Sequence, residues 1–197
     1  MNTTQSDLQD RDDMALLAGG RDAALDTLME RHRERLFHYL IRLLQNESEA
    51  ADLAQESFVR VYQNRARFTP DKNFTPWLYA IATNLARDRL RWLSRRPNTS
   101  IESNEDDGQT GLKNTLAARQ ADPRETLEKE ERAAAVRGAL LELPEDLRVP
   151  LILSEYEELS HAEIAAVLDC TPKAVEMRLY RARQQLRTRL APLLAAV

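Results

Sequence analysis

Six basic side chains (Lys173, Arg178, Arg181, Arg183, Arg187 and Arg189) fall between Pro172 and Leu190 against a single acid, Glu176. Cationic groups at that density suit phosphate, and an arginine can also donate two bonds to guanine O6 and N7. The same stretch carries Val175, Leu179, Ala182, Leu186 and Leu190 at helical spacing. With that stripe turned inward, Lys173, Glu176, Met177, Tyr180, Arg181 and Gln184 point outward. Those types suit a major groove: Arg181 for guanine, Tyr180 and Met177 for thymine methyls, Lys173 for a phosphate near the helix start. Arg178 and Arg183 flank the face as phosphate candidates. A merely solvated basic helix would show the charge but not the punctuation before it. Ser160 and Glu163 form an S-x-x-E capping box, Asp169-Cys170 makes a tight turn, and Thr171-Pro172 is a cap followed by proline at the first helical position. A short capped helix, a turn and a long basic helix define a helix-turn-helix unit.

Other chemistry is poorly served. His32, His38 and His161 lie far apart or lack acidic partners at ligand spacing, and neither H-E-x-x-H nor a glycine-rich phosphate loop is present. His32 sits on an apolar stripe and reads as a core-edge histidine. The single cysteine, Cys170, cannot form an internal disulfide and has no metal-ligand spacing. No catalytic residue, metal or cofactor is expected. No run approaches the roughly 20 apolar residues of a membrane span. Residues 1–13 are polar and acidic, which argues against a secretory signal. The expectation is a cytoplasmic protein without direct membrane insertion.

The elements that must position these residues are helices. The 197 residues are 43% hydrophobic and 30% charged, with only five glycines and few β-branched clusters, so the fold class expected is all-α. The segment 97–122 carries Pro97-Asn-Thr-Ser and Glu105-Asp-Asp-Gly108 without apolar periodicity, and reads as a flexible acidic linker. It separates two small helical domains, 1–96 and 123–197. In the first, a helix over about 21–44 aligns Leu25, Leu28, Met29, His32, Leu36, Tyr39, Leu40 and Leu43. Asn46 and Glu49 resemble a capping box opening a helix to about 67, with Ala50, Leu53, Ala54, Phe58, Val61 and Tyr62 inward. After a loop holding Pro70, Thr75 is placed to cap a third helix with Pro76 in its first turn and Trp77, Leu78, Ile81, Leu85 and Leu90 inward. In the second domain helices are expected over about 122–143 and 145–156, the latter containing Pro150, before the helix-turn-helix. Net charge is −4, yet basic helix ends at 87–96 and 173–189 flank an acidic middle. That total suits a DNA reader that gains much of its affinity from a larger partner.

Several blocks carry a family likeness. Leu143-Pro-Glu-Asp-Leu-Arg-Val-Pro-Leu-Ile-Leu153, Tyr156-Glu-Glu-Leu-Ser-His-Ala-Glu-Ile-Ala165 and Ala174-Val-Glu-Met-Arg-Leu-Tyr-Arg-Ala-Arg183 resemble region 4 of RNA polymerase sigma factors of the extracytoplasmic-function (ECF) group. Ala51-Asp-Leu-Ala-Gln-Glu-Ser-Phe-Val-Arg-Val-Tyr62 and Phe74-Thr-Pro-Trp-Leu-Tyr-Ala-Ile-Ala-Thr-Asn-Leu-Ala-Arg-Asp88 resemble region 2. The resemblance implies that Asp52, Gln55, Glu56, Val59 and Arg60 grip core RNA polymerase; they face away from the Ala50/Ala54/Phe58/Val61 stripe. It implies that Asn73, Phe74, Asn84, Arg87, Arg89 and Arg91 capture unpaired bases of the minus-ten promoter element. Those types supply the aromatic wall, polar groups and cations that melted DNA needs. Trp77 reads instead as core. The helix-turn-helix would read the minus-thirty-five element through Lys173, Glu176, Met177, Arg178, Tyr180, Arg181 and Arg183. An anti-sigma protein is a further partner implied by the family, as is a stress or envelope response.

The chain departs from the family pattern at Glu176, usually Lys or Arg, and at Met177, often small and polar. An acid facing DNA repels phosphate but accepts from cytosine N4. The turn lacks the common glycine, leaving Asp169 to adopt the left-handed conformation. The alternative from the residues alone is a helix-turn-helix regulator that binds duplex DNA without polymerase. Against it, no dimerisation helix for paired half-sites is evident.

Overall fold

A computed structural model describes residues 3–69, 71–95 and 123–194; the linker expected at 97–122 lies outside them. The described residues form helices α1 (Thr3–Ala18), α2 (Ala23–Leu44), α3 (Glu47–Gln63), α4 (Phe74–Ser94), α5 (Pro123–Leu141), α6 (Glu145–Glu155), α7 (His161–Leu168) and α8 (Pro172–Leu194), with a 3₁₀ turn at Arg65–Arg67 and no strand.

α1 is the element that periodicity does not foretell. Its inward positions Asp10, Met14 and Leu17 have helical spacing, and all three are fully buried. One of them is an acid, so the apolar stripe that marks an inward face is broken. Gly20, at φ +91°, turns the chain between α1 and α2, a conformation a side chain would strain. α2 buries Leu28, His32, Leu36, Tyr39, Leu40 and Leu43, and α3 buries Ala50, Ala54, Phe58 and Val61. Each fully buried leucine is stabilised by about 1.5–3 kcal/mol relative to exposure. Asn46 caps α3, its side chain accepting from the Glu49 amide at 2.9 Å. The reciprocal half of the expected box is missing, because the Glu49 carboxylate is taken by Arg89 of α4.

α4 begins at Phe74, with Asn73 rather than Thr75 at its N-cap. It buries Phe74, Pro76, Leu78, Tyr79, Ala82, Thr83 and Ala86, a wider belt than the single stripe expected, while Leu85 and Leu90 are half-buried. The cause is its central place: α1, α2 and α3 pack on it, and α7 on a further side. Every residue of α6 from Leu147 to Leu153 is buried, Pro150 among them. α7 and α8 close on α6 through Ile164, Ala165, Val167, Val175, Leu179 and Ala182. The two helical groups also touch each other, α4 against α7 and α2 against α6.

Candidate polymerase and nucleic-acid interfaces

The α7–α8 pair is fixed by local chemistry. Ser160 Oγ accepts from the Glu163 amide at 3.3 Å, and the Glu163 carboxylate accepts from the Ser160 amide at 2.9 Å, a complete capping box. Asp169 takes the left-handed conformation at φ 49°. Thr171 Oγ1 accepts from the Ala174 amide at 3.2 Å and starts α8. With Val175, Leu179 and Ala182 buried, Lys173, Glu176, Met177, Tyr180, Arg181 and Gln184 all stand in solvent. Met177 is 42% and Tyr180 59% exposed, an unusual placement for side chains of that size. Gln184 donates to Tyr180 Oη at 2.8 Å. Lys173 donates to both Glu176 oxygens at 2.9 Å, and that bond holds the Glu176 carboxyl below the usual carboxylate range. The acid that departs from the family pattern is therefore ionised and paired with a lysine of its own helix. Arg181 has no hydrogen-bond or ion-pair partner among the described residues. Arg178 reaches Cys170 Sγ at 3.6 Å, and Arg183 pairs with Glu155 at 2.7 Å.

On α3, Asp52, Gln55, Val59 and Arg60 are exposed and Glu56 is half-buried, on the side opposite Ala50, Ala54, Phe58 and Val61. Arg60 Nε donates to Glu56 Oε1 at 2.6 Å, one turn back. Val59 is an exposed apolar residue ringed by polar ones.

The minus-ten set is dispersed. Phe74, expected as an aromatic wall for unpaired bases, is fully buried, its ring 5.1 Å from that of His32 and 6.2 Å from that of Trp77. A ring with no exposed surface cannot stack on a base, so that expectation is corrected: Phe74 anchors the loop. Phe68 and Trp77 are the half-buried aromatics beside it, 5.3 Å apart. Asn73 is half-buried and Asn84 exposed. The arginines are engaged: Arg87 with Glu145 of α6 at 2.7 Å, Arg89 with Glu49 and over the Trp92 ring, Arg91 with Asp88 at 3.3 Å.

Sequence reasoning missed the buried polar groups that tie these helices to one another. Glu157, only 4% exposed, accepts from Tyr79 Oη at 2.5 Å, with Arg35 at 3.5 Å and Arg42 at 3.7 Å. Burial, then the neighbouring carboxylate, pushes the Tyr79 hydroxyl far above its ordinary range, so it stays a donor. Tyr39 and Thr83 share a 2.6 Å bond beneath it. His32 Nε2 meets the buried Asp10 carboxylate at 2.9 Å, a partner 22 positions away that no local spacing announces. Among the described residues no helix is long and apolar enough to cross a membrane.

A promoter factor of the sigma-70 type is what this fold defines: residues 28–96 match sigma-70 region 2, and residues 133–186 match sigma-70 region 4. The RNA polymerase sigma-H factor of Pseudomonas aeruginosa is 34% identical over 94% of this chain and 96% of its own length. SigW, an ECF RNA polymerase sigma factor of Bacillus subtilis, is 32% identical over 89% of this chain and 92% of its own. In structure the chain is similar to CnrH, solved with the cytosolic domain of CnrY, at TM-score 0.68 and 27% identity over 95% of this chain and 98% of that one. The fold is shared by the sigma factor RpoE of Bartonella quintana, solved with the anti-sigma factor NepR, at TM-score 0.63 and 20% identity over 84% and 96%. The chain belongs to the ECF group of RNA polymerase sigma factors. As such it binds core RNA polymerase and directs promoter-specific initiation of transcription. A regulator acting without polymerase is not favoured.

Proposed function

We propose that three surfaces divide the work of initiation. The outer face of α3, with Asp52, Gln55, Glu56, Val59 and Arg60, grips the polymerase. The loop before α4 and the helix itself, with Asn73 at its N-cap and Asn84, Arg87, Arg89 and Arg91 along it, hold unpaired minus-ten bases while Phe74 anchors the helix start from inside. The outer face of α8, with Lys173, Glu176, Met177, Arg178, Tyr180, Arg181 and Arg183, reads the minus-thirty-five element. The observation that carries this division is Arg181, exposed and without a partner among the described residues, on a helix whose rotation is fixed by the capped turn before it. We take the domain limits as 1–96 and 123–197; the matched spans, 28–96 and 133–186, fall inside them.

The two promoter elements lie roughly 25 base pairs apart by their names, about 85 Å of duplex. Helices α4 and α7 touch each other in this structure. Reading both elements at once therefore requires the contact at Glu157 to open. An anti-sigma protein, the class of partner with which RpoE of Bartonella quintana was solved, would act on this chain when it is off the polymerase. We place the chain in the cytoplasm, in an envelope or stress response, with no cofactor and with bond-making left to the polymerase. Val59→Glu tests the polymerase face: binding to core polymerase should weaken about tenfold or more at unchanged melting temperature. Unchanged binding would remove α3 from the interface.

A further inference from the structure

Helix α1 lies ahead of the matched region 2, which begins at residue 28, yet it reaches the minus-ten loop by two routes. On the first, Arg11 Nη2 donates to Asn73 Oδ1 at 2.6 Å across 62 positions of sequence. On the second, the buried Asp10 carboxylate accepts from Arg31 and meets His32 Nε2, and the His32 ring packs on Phe74, the residue after Asn73. Met14 and Leu17, both fully buried, fasten α1 in place.

Asn73 stands at the N-cap of α4 in an extended conformation, where an asparagine ordinarily accepts from the first-turn amides. It makes no such bond. Its oxygen is turned to Arg11 instead. Arginine only donates, so the atom facing it must be the amide oxygen, and the Asn73 NH2 has no acceptor among the described residues.

We propose that Arg11 is a positioning residue for promoter recognition: by holding Asn73 Oδ1 it presents the Asn73 amide as a donor, so the loop prefers a minus-ten base with an acceptor on its edge. This deepens the assignment of Asn73 to minus-ten capture and rests on it. Without Arg11 the amide can rotate by half a turn, offering oxygen as readily as nitrogen, and the discrimination fades.

The test is transcription by reconstituted holoenzyme on a promoter library randomised at the minus-ten element, for wild type, Arg11→Met, Arg11→Lys, Asn73→Ala and the Arg11→Met/Asn73→Ala pair. Methionine keeps the apolar stem of Arg11 without a donor; lysine keeps a donor. Asn73→Ala should flatten base preference at one minus-ten position about fivefold to tenfold, the worth of one hydrogen bond. Arg11→Met should flatten the same position, Arg11→Lys should largely restore it, and the pair should match Asn73→Ala alone. Preference at the minus-thirty-five element stays unchanged. An effect of Asn73→Ala with none from Arg11→Met overturns the proposal and leaves the loop assignment standing. A further loss in the pair shows that Arg11 touches DNA itself, which also overturns it. No effect from Asn73→Ala removes the loop assignment, and the proposal with it. Should Arg11→Met fail to fold, the lysine variant decides alone: loss of preference in a folded Arg11→Lys holoenzyme counts against the proposal.

Discussion

Helices α4 and α8 carry the proposed DNA-facing groups engaged to different degrees. Along α4, Arg87 is held by Glu145, Arg89 by Glu49, and Asn73 at its start by Arg11, each from a different helix. Along α8, Arg181 has no partner among the described residues, Lys173 and Tyr180 bond neighbours on the same helix, and Arg183 alone of the reading set pairs with another helix, through an exposed contact to Glu155 of α6. The second site is carried on one capped helix, with a single exposed ion pair to α6. The first depends on several helices, one of them from the other helical group, and must exchange carboxylates for phosphates before it can act. Such exchange costs little where the pair is exposed and more where it is buried. The comparison thus separates a preformed reader from one whose readiness depends on the arrangement of the whole chain.

The largest expected effect strikes the contact between the groups. Glu157→Ala leaves the buried Tyr79 hydroxyl without its acceptor and Arg42 without its carboxylate, and should cost about 3 kcal/mol in chemical denaturation. It should also lengthen the distance between labels on α3 and α8 in the free chain. An unchanged distance would mean that Glu157 does not hold the two groups together. Next comes Arg181→Ala, which should weaken use of promoters with an upstream element by about 1–3 kcal/mol if the contact is bidentate, with no change in melting temperature. Equal transcription from all such promoters would remove Arg181 from readout.

Ser160→Ala, which breaks the capping box, should lower stability by about 1 kcal/mol, read from the denaturation midpoint. A smaller effect tests the seat of α1. Burial, then Glu163 of α7, raises the Asp7 carboxyl above its ordinary 3.8, so its ionised form opposes folding. A raised carboxyl favours the folded state fully below that ordinary value and loses the contribution as pH rises through the folded one. Asp7→Asn should therefore stabilise the chain at neutral pH by at most a few tenths of a kcal/mol after solvent screening, and not at all below about pH 3.8. Thermal unfolding at both pH values checks the sign.

The same contrast decides what could be read from residues alone. Periodicity of 3.6 turned α8 correctly, because Val175, Leu179 and Ala182 are apolar and the outward set follows from them. The Ser160 box and the Asp169 turn are local signals and stand where expected. Phe74 was misplaced because an aromatic beside a loop looks the same whether it faces a base or a core. Only the packing of His32 and Trp77 settles it. Asp10 and Glu157 were invisible for a related reason: a buried carboxylate is legible only through partners, and theirs lie 22 and 78 positions away. Glu49 was half read, as a cap residue, because its arginine comes from another helix.

The most direct test is transcription in vitro from a library of promoter fragments, with core polymerase alone, the chain alone, and both together, followed by mapping of start sites. Discrete starts that share paired upstream elements should arise only when both are present, and the chain alone should leave the fragments unbound. Starts that are the same with and without the chain, or equal promoter binding by the chain in the absence of core polymerase, would contradict the account.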